Sequence, residues 1–268
     1  MNRETNLPPL LPTRSHGVLT ITLNRPETRN ALSESLMRAL QLSLDEAVDE
    51  QSVRVIVLAA KGPAFCAGHD LRELTGHRND ADCGLAYYRA IFAQCSHLMQ
   101  TIVRHPKPVI AQVHAVATAA GCQLVASCDL AVASSEARFA TPGVNIGLFC
   151  STPMVALSRA IPRKSAMEML LTGEAVGAEE ARRIGLVNRV VPAADLAKET
   201  EALARFIANK PRDTLRTGKL AFQHQLELGL SNAYDYVSEV MTQNMLHAEA
   251  KEGIGAFLDK RLPKWPEK

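Results

Sequence analysis

The stretch that decides the fold runs over residues 108–153 and reads PVIAQVHAVATAAGCQLVASCDLAVASSEARFATPGVNIGLFCSTP. It begins with Val109–Val113, an apolar and β-branched run that predicts a buried strand. Small residues over 117–121 then lead into a helix-like segment over 122–127, and a second apolar strand follows over 130–133. A small-residue turn that opens a helix presents backbone N–H groups, which suits an oxygen that gains negative charge. Close packing of a helix on a strand requires the same small residues, so both interpretations stay open at this point.

The composition is that of an ordinary soluble globular protein. The 268 residues are 47% hydrophobic and 22% charged, which is enough for one large domain or for a domain with an appendage. A formal net charge of +2 gives no broad electrostatic attraction for nucleic acid or for a membrane surface. Aromatic residues make up only 4%, which argues against a stacking platform for single-stranded nucleic acid. We therefore expect no nucleic-acid partner.

The sequence predicts neither a membrane span nor a secretory signal. No run approaches ~20 uninterrupted apolar residues, the length that a spanning helix needs. Residues 1–15 lack an apolar core and mix charges with three prolines, so we expect a disordered leader there.

The cysteines indicate a reducing environment. None forms a C-x-x-C pair and no histidine has zinc-finger spacing, so we expect no metal site. Several lie in apolar runs, as free buried thiols do, and we expect a cytoplasmic location. The six are Cys66, Cys83, Cys95, Cys122, Cys128 and Cys150.

Strand and helix patterns alternate over the first two-thirds of the chain, and helices fill the last third. Alternating apolar residues predict a strand over 16–24, Ser33 has the position of a helix cap, and residues 53–60 predict a buried strand. A polar segment over 76–84 predicts a mobile loop. The other predicted elements are helices over 85–103, 153–161, 163–171, 178–184, 194–209, 212–228 and 231–260, and a strand over 186–191.

Several short strings occur in a specific order and spacing, although each is a weak signal on its own. The strings are Asn24-Arg25-Pro26, Asn30-Ala31-Leu32, Phe65-Cys66-Ala67-Gly68-His69-Asp70-Leu71, Gly121-Cys122-Gln123-Leu124, Cys128-Asp129, Leu171-Thr172-Gly173 and Glu252-Gly253-Ile254-Gly255-Ala256-Phe257.

Taken together, these strings resemble the enoyl-CoA hydratase/isomerase (crotonase) superfamily over about residues 15–265. The string over 143–153 is similar to the branch called enoyl-CoA hydratase domain-containing, which lacks both usual catalytic glutamates. The resemblance implies an α/β fold, with a crotonase-like spiral of ββα units over 16–195. It also implies a C-terminal helical region over 196–268 that assembles chains into homotrimers, often paired into hexamers. The amphipathic C-terminal helices need an apolar partner, which agrees with a trimer.

The resemblance further implies acyl-CoA thioester ligands and a place in fatty-acid or acyl-CoA metabolism. Coenzyme A would enter as part of the substrate, with no separate cofactor. By position, the backbone N–H groups of His69 and Ala120 would form the oxyanion hole that stabilises an enolate. Many relatives have glycine at 120, so the alanine methyl group predicts a tighter pocket. We favour a packed or solvated His69 side chain over a catalytic imidazole. The flanking residues that we expect at the substrate are Ala67, Gly68, Asp70, Leu71 and Gly121.

The positions of the two family glutamates carry other residues. The first falls at Gln123, whose amide can hold a water but has no basic carboxylate. The second falls at Gly143, which offers no side chain. General acid–base catalysis contributes roughly 10² to 10⁴ per group, and both groups are missing. We therefore predict weak or absent hydration of enoyl-CoA.

Other polar residues near these strings have structural interpretations that we favour. Cys150 and Ser151 lack an evident partner base and predict a packed thiol and a helix N-cap. Asp70 and Glu73 predict a helix start and a surface group. His114 lies among small apolar residues and predicts a satisfied core histidine.

Cations are needed for the phosphates of coenzyme A. The resemblance makes Arg25, Arg29 and Lys61 plausible contacts, because they flank the two N-terminal strings. Lys260 and Arg261 could reach the same ligand or that of a neighbouring subunit. Each of them is equally plausible as an ordinary surface charge.

Three functions remain open from the sequence. The first is an acyl-CoA enzyme that relies on the oxyanion hole, such as an isomerase, decarboxylase or thioester hydrolase. The second is a non-catalytic acyl-CoA binder with a regulatory role. The third is true hydration through groups that the sequence does not reveal.

Overall fold

In the computed structural model, which describes residues 7–266, short strands alternate with helices before a helical C-terminal third. The strands are β1 (Leu10–Ser15), β2 (Val18–Leu23), β3 (Val55–Ala60), β4 (Ala64–Cys66), β5 (Val109–Val113), β6 (Val116–Thr118), β7 (Leu130–Ser134), β8 (Arg138–Ala140), β9 (Val176–Gly177) and β10 (Arg189–Val191). The α-helices are α1 (Glu34–Asp49), α2 (Leu71–Gly76), α3 (Leu85–Arg104), α4 (Ala120–Ser127), α5 (Ser151–Ala160), α6 (Arg163–Thr172), α7 (Ala178–Arg183), α8 (Leu196–Ala208), α9 (Arg212–Gln225), α10 (Leu230–Met245) and α11 (Ala248–Leu258).

The strands form two sheets. The larger sheet has the order β1-β2-β3-β5-β7-β10, and the smaller has the order β4-β6-β8-β9. All neighbours are parallel except the β1–β2 and β8–β9 pairs. This confirms the predicted α/β class, with successive strands and helices distributed between two sheets.

The predicted strand Val109–Val113 is confirmed to the residue as β5. It lies between β3 and β7, with Ile110 opposite Leu130. A central parallel strand is covered on both faces, which explains its nearly continuous apolar sequence. The strands of the smaller sheet, at two or three residues each, are too short to give a periodic signal and were not predicted.

The disordered leader predicted over residues 1–15 is wrong for its second half. Residues 10–15 form β1, an edge strand that pairs antiparallel with β2 from Leu10–Leu23 to Ser15–Val18. Residues 1–6 lie outside the described part. Pro12 is compatible with this strand because a proline at a sheet edge need not donate to a ladder.

The segment over 76–84 has more structure than the predicted mobile loop. His77–Asn79 form a 3₁₀ turn, and the His77 ring stacks on Tyr87 with centroids 3.6 Å apart. His77 Nδ1 lies 2.7 Å from Asp80 Oδ2. Aromatic and ion-pair contacts of this kind are not visible in a polar sequence without periodicity.

The C-terminal region departs from the prediction in one respect. The single helix predicted over 231–260 is two helices, because the chain becomes extended at His247, between α10 and α11. In the preceding helix α8, Leu203 and Ala204 are among the residues that cover one face of the larger sheet. Lys219 of α9 donates to Asp129 Oδ2 at 2.7 Å and to the carbonyls of Ile102 and Lys107 at 3.1 Å. The helical region is therefore anchored to the core by apolar contact and by a buried ion pair.

Two features are absent from the described residues. Within residues 7–266, no helix combines the length and apolarity required to cross a membrane. The same residues contain no group of three or more His, Cys, Asp or Glu side chains placed to hold a metal ion.

Candidate functional site

The first corner of the candidate site follows β4. Gly68 has φ +88°, a conformation that favours glycine, and a β-carbon there would lie 2.9 Å from Ala119 Cβ. The same β-carbon would lie 3.3 Å from the amide nitrogen of Ala120. The chain at Gly68 is therefore in direct contact with the start of α4.

The second corner is the start of α4 itself. A β-carbon at Gly121 would lie 2.1 Å from the carbonyl oxygen of Cys66, so only glycine lets the helix approach β4 this closely. Ala119 precedes the helix with φ 51° and ψ −119°, which strains a residue other than glycine. Its N–H donates to the Ala140 carbonyl at 2.9 Å, and its carbonyl accepts from Gln123 N at 3.0 Å.

The two corners bring the predicted oxyanion donors into one neighbourhood. Ala120 is the first residue of α4, so its N–H has no carbonyl partner within the helix. His69 forms an isolated parallel bridge with Leu32, in which Leu32 N donates to the Gly68 carbonyl at 2.7 Å. Neither the His69 N–H nor the Ala120 N–H reaches an acceptor in the described part of the chain. Two free donors beside a helix N-terminus can stabilise a negatively charged oxygen.

The His69 side chain is packed rather than aligned for proton transfer. Its ring meets Phe92 edge-on, with centroids 5.4 Å apart. Neither ring nitrogen has a well-aligned hydrogen bond within residues 7–266. Burial lowers the pKa of the His69 imidazole, with the Leu32 backbone opposing that shift. The packed side chain that the sequence favoured therefore agrees with the structure.

Two neutral side chains follow the second corner. Gln123 is 4% exposed and Thr141 is fully buried. Gln123 Oε1 and Thr141 Oγ1 have no hydrogen-bond partner among the described residues. Backbone hydrogen bonds connect Ala119 to Gln123 N and to the carbonyl of Ala140, the residue before Thr141. Gln123 and Thr141 are therefore close to Ala119.

The second glutamate position, at Gly143, has neither a side chain nor room for one. Gly143 is buried in a 3₁₀ turn over Pro142–Ile146. A β-carbon there would lie 2.5 Å from the Leu148 carbonyl oxygen and 2.9 Å from Cys150 Sγ. The chain after the turn folds back, with Leu148 N donating to the Gly143 carbonyl at 2.9 Å. A glutamate cannot occupy this position unless the backbone moves.

The remaining candidate side chains have structural partners. Asp70 caps α2, with Oδ1 2.8 Å from Arg72 N, as predicted. Glu73 accepts from Glu34 N at 2.9 Å, and burial raises the pKa of its carboxyl. It is thus less of a surface group than predicted.

The residues at the start of α5 and His114 also have structural roles. Cys150 is a buried thiol, as predicted, but it also has the N-cap position that the sequence assigned to Ser151. Ser151 is the first residue of α5. His114 Nε2 lies 2.8 Å from the Gly62 carbonyl, while its Nδ1 is unpartnered among residues 7–266. The prediction that His114 is hydrogen-bonded is therefore confirmed for Nε2 alone among the described residues.

Asn30 holds the backbone at the predicted N-terminal cations, a role that the sequence did not predict. Asn30 is fully buried with φ 52°, and its amide donates to the carbonyls of Lys61 and Ala64 at 2.8 and 2.9 Å. Its Oδ1 accepts from Arg25 N at 2.8 Å. Arg29 precedes it directly. An asparagine in the left-handed region with both ends bonded explains why this polar residue lies inside an apolar string.

The turn held by Asn30 is hydrogen-bonded to the first corner. Ala67 N donates to the Arg29 carbonyl at 3.0 Å. Leu71 is the first residue of α2 and is 48% exposed, so it presents an apolar surface beside the corner. The guanidinium of Arg25 donates to the Leu7 carbonyl at 2.7 Å. The backbone at Arg25, Arg29 and Lys61 is thus held close to the first corner.

The C-terminal cations are placed differently. Arg261 forms two hydrogen bonds to the Glu252 carboxylate, at 2.7 and 3.0 Å, and so secures the end of α11. Lys260 is exposed, with φ 55°.

Comparison with known proteins identifies the family to which these corners belong. The sequence pattern of the family described as Enoyl-CoA hydratase/isomerase matches residues 13–268, which is nearly the whole chain. The chain belongs to the enoyl-CoA hydratase/isomerase family. The resemblance carried by the short strings is therefore confirmed.

Several members of this family are closely similar to the chain. Human enoyl-CoA hydratase domain-containing protein 3, mitochondrial, is 48% identical over 263 residues, which are 98% of this chain and 85% of the human protein. The crystal structure of that human protein has a TM-score of 0.91 and covers 96% of this chain and 100% of the human chain. An enoyl-CoA hydratase from Mycobacterium smegmatis is 51% identical with a TM-score of 0.92, covering 97% and 99% of the two chains. The word mitochondrial describes the human relative, and the cytoplasmic location of this chain remains a prediction.

Proposed function

We propose that this family member binds acyl-CoA thioesters and polarises the thioester carbonyl, with weak or absent enoyl-CoA hydration. The observation that carries the proposal is the contact between the two corners, with Gly68 against Ala119 and Ala120. That contact makes His69 and Ala120 neighbours, and neither N–H has an acceptor in the described residues, which supports the proposal.

The chemistry of such a site begins at the thioester oxygen. When solvent water takes a proton from the carbon next to the carbonyl, negative charge moves onto that oxygen. Two N–H donors fixed before the reaction stabilise this charge, and one such donor contributes roughly 10² to 10³ in rate. The proposed site therefore favours reactions that pass through an enolate.

The groups that hydration requires are absent from the family positions. Gln123 is a neutral amide, and Gly143 has no room for a side chain. Water therefore has no carboxylate base at either position. For the proposed function, the oxyanion hole acts on the thioester without the usual general acid and base.

A second candidate function is a non-catalytic acyl-CoA binder. It is favoured by the chemistry of the buried groups, because Gln123 and Thr141 offer only an amide and a hydroxyl, and the His69 ring packs edge-on against Phe92. An amide or a hydroxyl can hold a thioester but is too weakly basic to abstract a proton from carbon at a useful rate.

Three measurements on the purified chain test the proposal. Calorimetry with butyryl-CoA and with coenzyme A alone measures thioester binding. Loss of the conjugated absorbance of crotonyl-CoA measures hydration. Incorporation of deuterium next to the carbonyl of butyryl-CoA in D₂O measures enolate formation without hydration.

We expect butyryl-CoA to bind and deuterium to enter slowly, because only solvent water is available as the base. We expect crotonyl-CoA to turn over at least 10²-fold more slowly than with a relative that has both glutamates. Binding without deuterium incorporation would favour the non-catalytic binder. Fast hydration by the wild-type chain would overturn the proposal, as would failure to bind any thioester.

We also propose that the chain assembles as a trimer or as a hexamer of paired trimers. Many large apolar side chains of the C-terminal helices are exposed in the single chain, with Leu230 at 77% and Phe257 at 81%. A second copy would cover them. Sedimentation velocity measures the assembly, and a stable monomer at micromolar concentration would contradict it.

A further inference from the structure

A second charged cleft lies at the opposite end of β3 from the candidate thioester site. It has a volume of about 940 Å³, within the range of small-molecule sites. Arg54 directly precedes β3, whereas Lys61 directly follows it. Seven residue steps at ~3.3 Å each separate the two positions by roughly 23 Å. The cleft is therefore separate from the corners and from the turn held by Asn30.

Three arginines dominate the charge of this cleft. Arg54, Arg212 and Arg216 all line it, against two carboxylates, those of Asp213 and Glu249. In the described part of the chain, none of the three guanidinium groups forms an ion pair. The cleft thus carries positive charge in excess.

The existing contacts leave donors available on each guanidinium. Arg54 donates to the Lys210 carbonyl at 2.6 Å, and Arg212 donates to the carbonyl and side chain of Gln51. Arg216 is exposed and has no hydrogen-bond partner within residues 7–266. A guanidinium has five N–H donors in a planar fork, which matches phosphate oxygens in pairs.

The Glu249 carboxylate on the acidic side of the cleft is already hydrogen-bonded within the protein. The Glu249 carboxylate accepts from Asp213 N at 3.1 Å and from Thr214 N and Oγ1 at 2.8 and 2.9 Å, which closes the N-terminus of α9. Repulsion from Arg212 also contributes to a lowered pKa of Arg54, behind the larger effect of burial. Attraction to Glu249 and Asp213 opposes this shift without cancelling it, so an anion placed between the arginines would relieve their repulsion.

An aromatic ring completes the cleft. Trp265 is the only tryptophan in the chain. Its Nε1 donates to the Asn209 carbonyl at 3.0 Å, and one part of its ring packs against Gly253, where a β-carbon would lie 3.2 Å away. A fixed indole beside a cluster of guanidinium groups offers a surface for a planar base next to a site for phosphates.

We propose that this cleft binds a nucleoside di- or triphosphate, with the phosphates at Arg54, Arg212 and Arg216 and the base against Trp265. The proposal concerns a site separate from the thioester site and does not depend on acyl-CoA binding. A phosphate compound without a base shares the charge recognition but lacks the stacking contact.

The experiment titrates the full-length chain with ADP and, separately, with inorganic pyrophosphate. Calorimetry gives affinity, and the fluorescence of the single tryptophan reports occupancy of this cleft. We expect ADP to bind more tightly than pyrophosphate and to quench Trp265. Arg216→Gln should weaken ADP binding about tenfold through loss of a charge-assisted contact. The matched control is Arg89→Gln, which changes an exposed arginine of α3 that likewise has no side-chain partner in the described residues.

Several results would overturn the proposal. One is the absence of both heat and fluorescence change with ADP. Another is equal affinity for ADP and pyrophosphate without quenching, and a third is unchanged ADP affinity in Arg216→Gln. If Lys61→Gln abolished ADP binding while Arg216→Gln preserved it, the nucleotide would be located at the other end of β3. Circular dichroism verifies that each variant is folded.

Discussion

The two backbone corners and the two glutamate positions lie close together in the chain but are constrained in different ways. Gly68 and Gly121 are held by direct contact with neighbouring backbone, so the fold itself requires them. Gln123 fills a position where the fold requires only a buried side chain of suitable size. The difference indicates that packing fixes the two corners of this chain more strictly than it fixes the side chain at 123. Substitutions at the corners should therefore cost more stability than substitutions at Gln123.

Gly121→Ala tests the contact between the corners. The new methyl group would lie 2.1 Å from the Cys66 carbonyl, so α4 must move away from β4. We expect a loss of about 3 kcal/mol in the free energy of unfolding, at the upper end of overpacking effects, and loss of thioester binding. Urea denaturation measures the first effect and calorimetry the second.

Gly218→Ala is the matched control for that change. Gly218 is an exposed residue of α9, and a β-carbon there would have no atom within 4 Å, so alanine should stabilise the helix by about 0.5–1 kcal/mol. A loss below about 1 kcal/mol in Gly121→Ala would show that the corners are not held by this contact.

Gly143→Ala examines whether the second glutamate position is closed. The methyl group would meet the Leu148 carbonyl at 2.5 Å, and we expect a loss of about 2 kcal/mol in the free energy of unfolding. Gly76→Ala, at a helical glycine with open space around it, serves as the control. Equal stability of Gly143→Ala and wild type would mean that the chain after the turn moves freely, and that a glutamate could be accommodated.

Gln123→Glu restores the first carboxylate without the second. We expect hydration of crotonyl-CoA to rise about tenfold, less than a complete acid–base pair would give. Burial should raise the pKa of the new carboxyl, so the gain should increase with pH as the basic form appears. Gln123→Met, of similar size and no charge, should show no gain. If a folded, thioester-binding Gln123→Glu variant also shows none, the side chain at 123 does not face the reacting carbons.

Ala119→Gly should have the smallest effect. Glycine removes the strain of φ 51°, although it increases the entropy of the unfolded chain, and we expect a net gain of about 0.5 kcal/mol. Ala120→Gly in the same turn has helical backbone and should lose about 0.5–1 kcal/mol. Thermal denaturation compares the two. Destabilisation of both variants to the same extent would show that the conformation of Ala119 is not strained.

The predictable part of the fold is the part with long local patterns. The sequence predicts β5 to the residue, because a central parallel strand is apolar throughout. It also predicts Ser33 as a helix cap, and the Ser33 side chain accepts from Leu36 N at 3.2 Å at the start of α1. β1 was missed because an exposed edge strand is defined by its partner, β2, rather than by its own pattern. The break at His247 was missed because helix-forming residues continue on both sides.

The candidate site was predictable in its backbone and less so in its surroundings. The string that contains His69 and the string that begins at Gly121 predict the two corners, since glycine at 68 and 121 is needed for close approach. Closure of the chain over Gly143 was not predictable, because it depends on the Leu148 carbonyl, further along the chain, folding back. The role of Asn30 also depends on distant partners, the carbonyls of Lys61 and Ala64.

The ion pair between Lys219 and Asp129 has a consequence for how the chain can be divided. Removal of the Lys219 ammonium alone would leave the buried Asp129 carboxylate uncompensated, at a cost of about 3–5 kcal/mol. A fragment that ends at residue 195 would instead expose that carboxylate and the face of the larger sheet that α8 covers. We therefore expect the two regions of the architecture to unfold together.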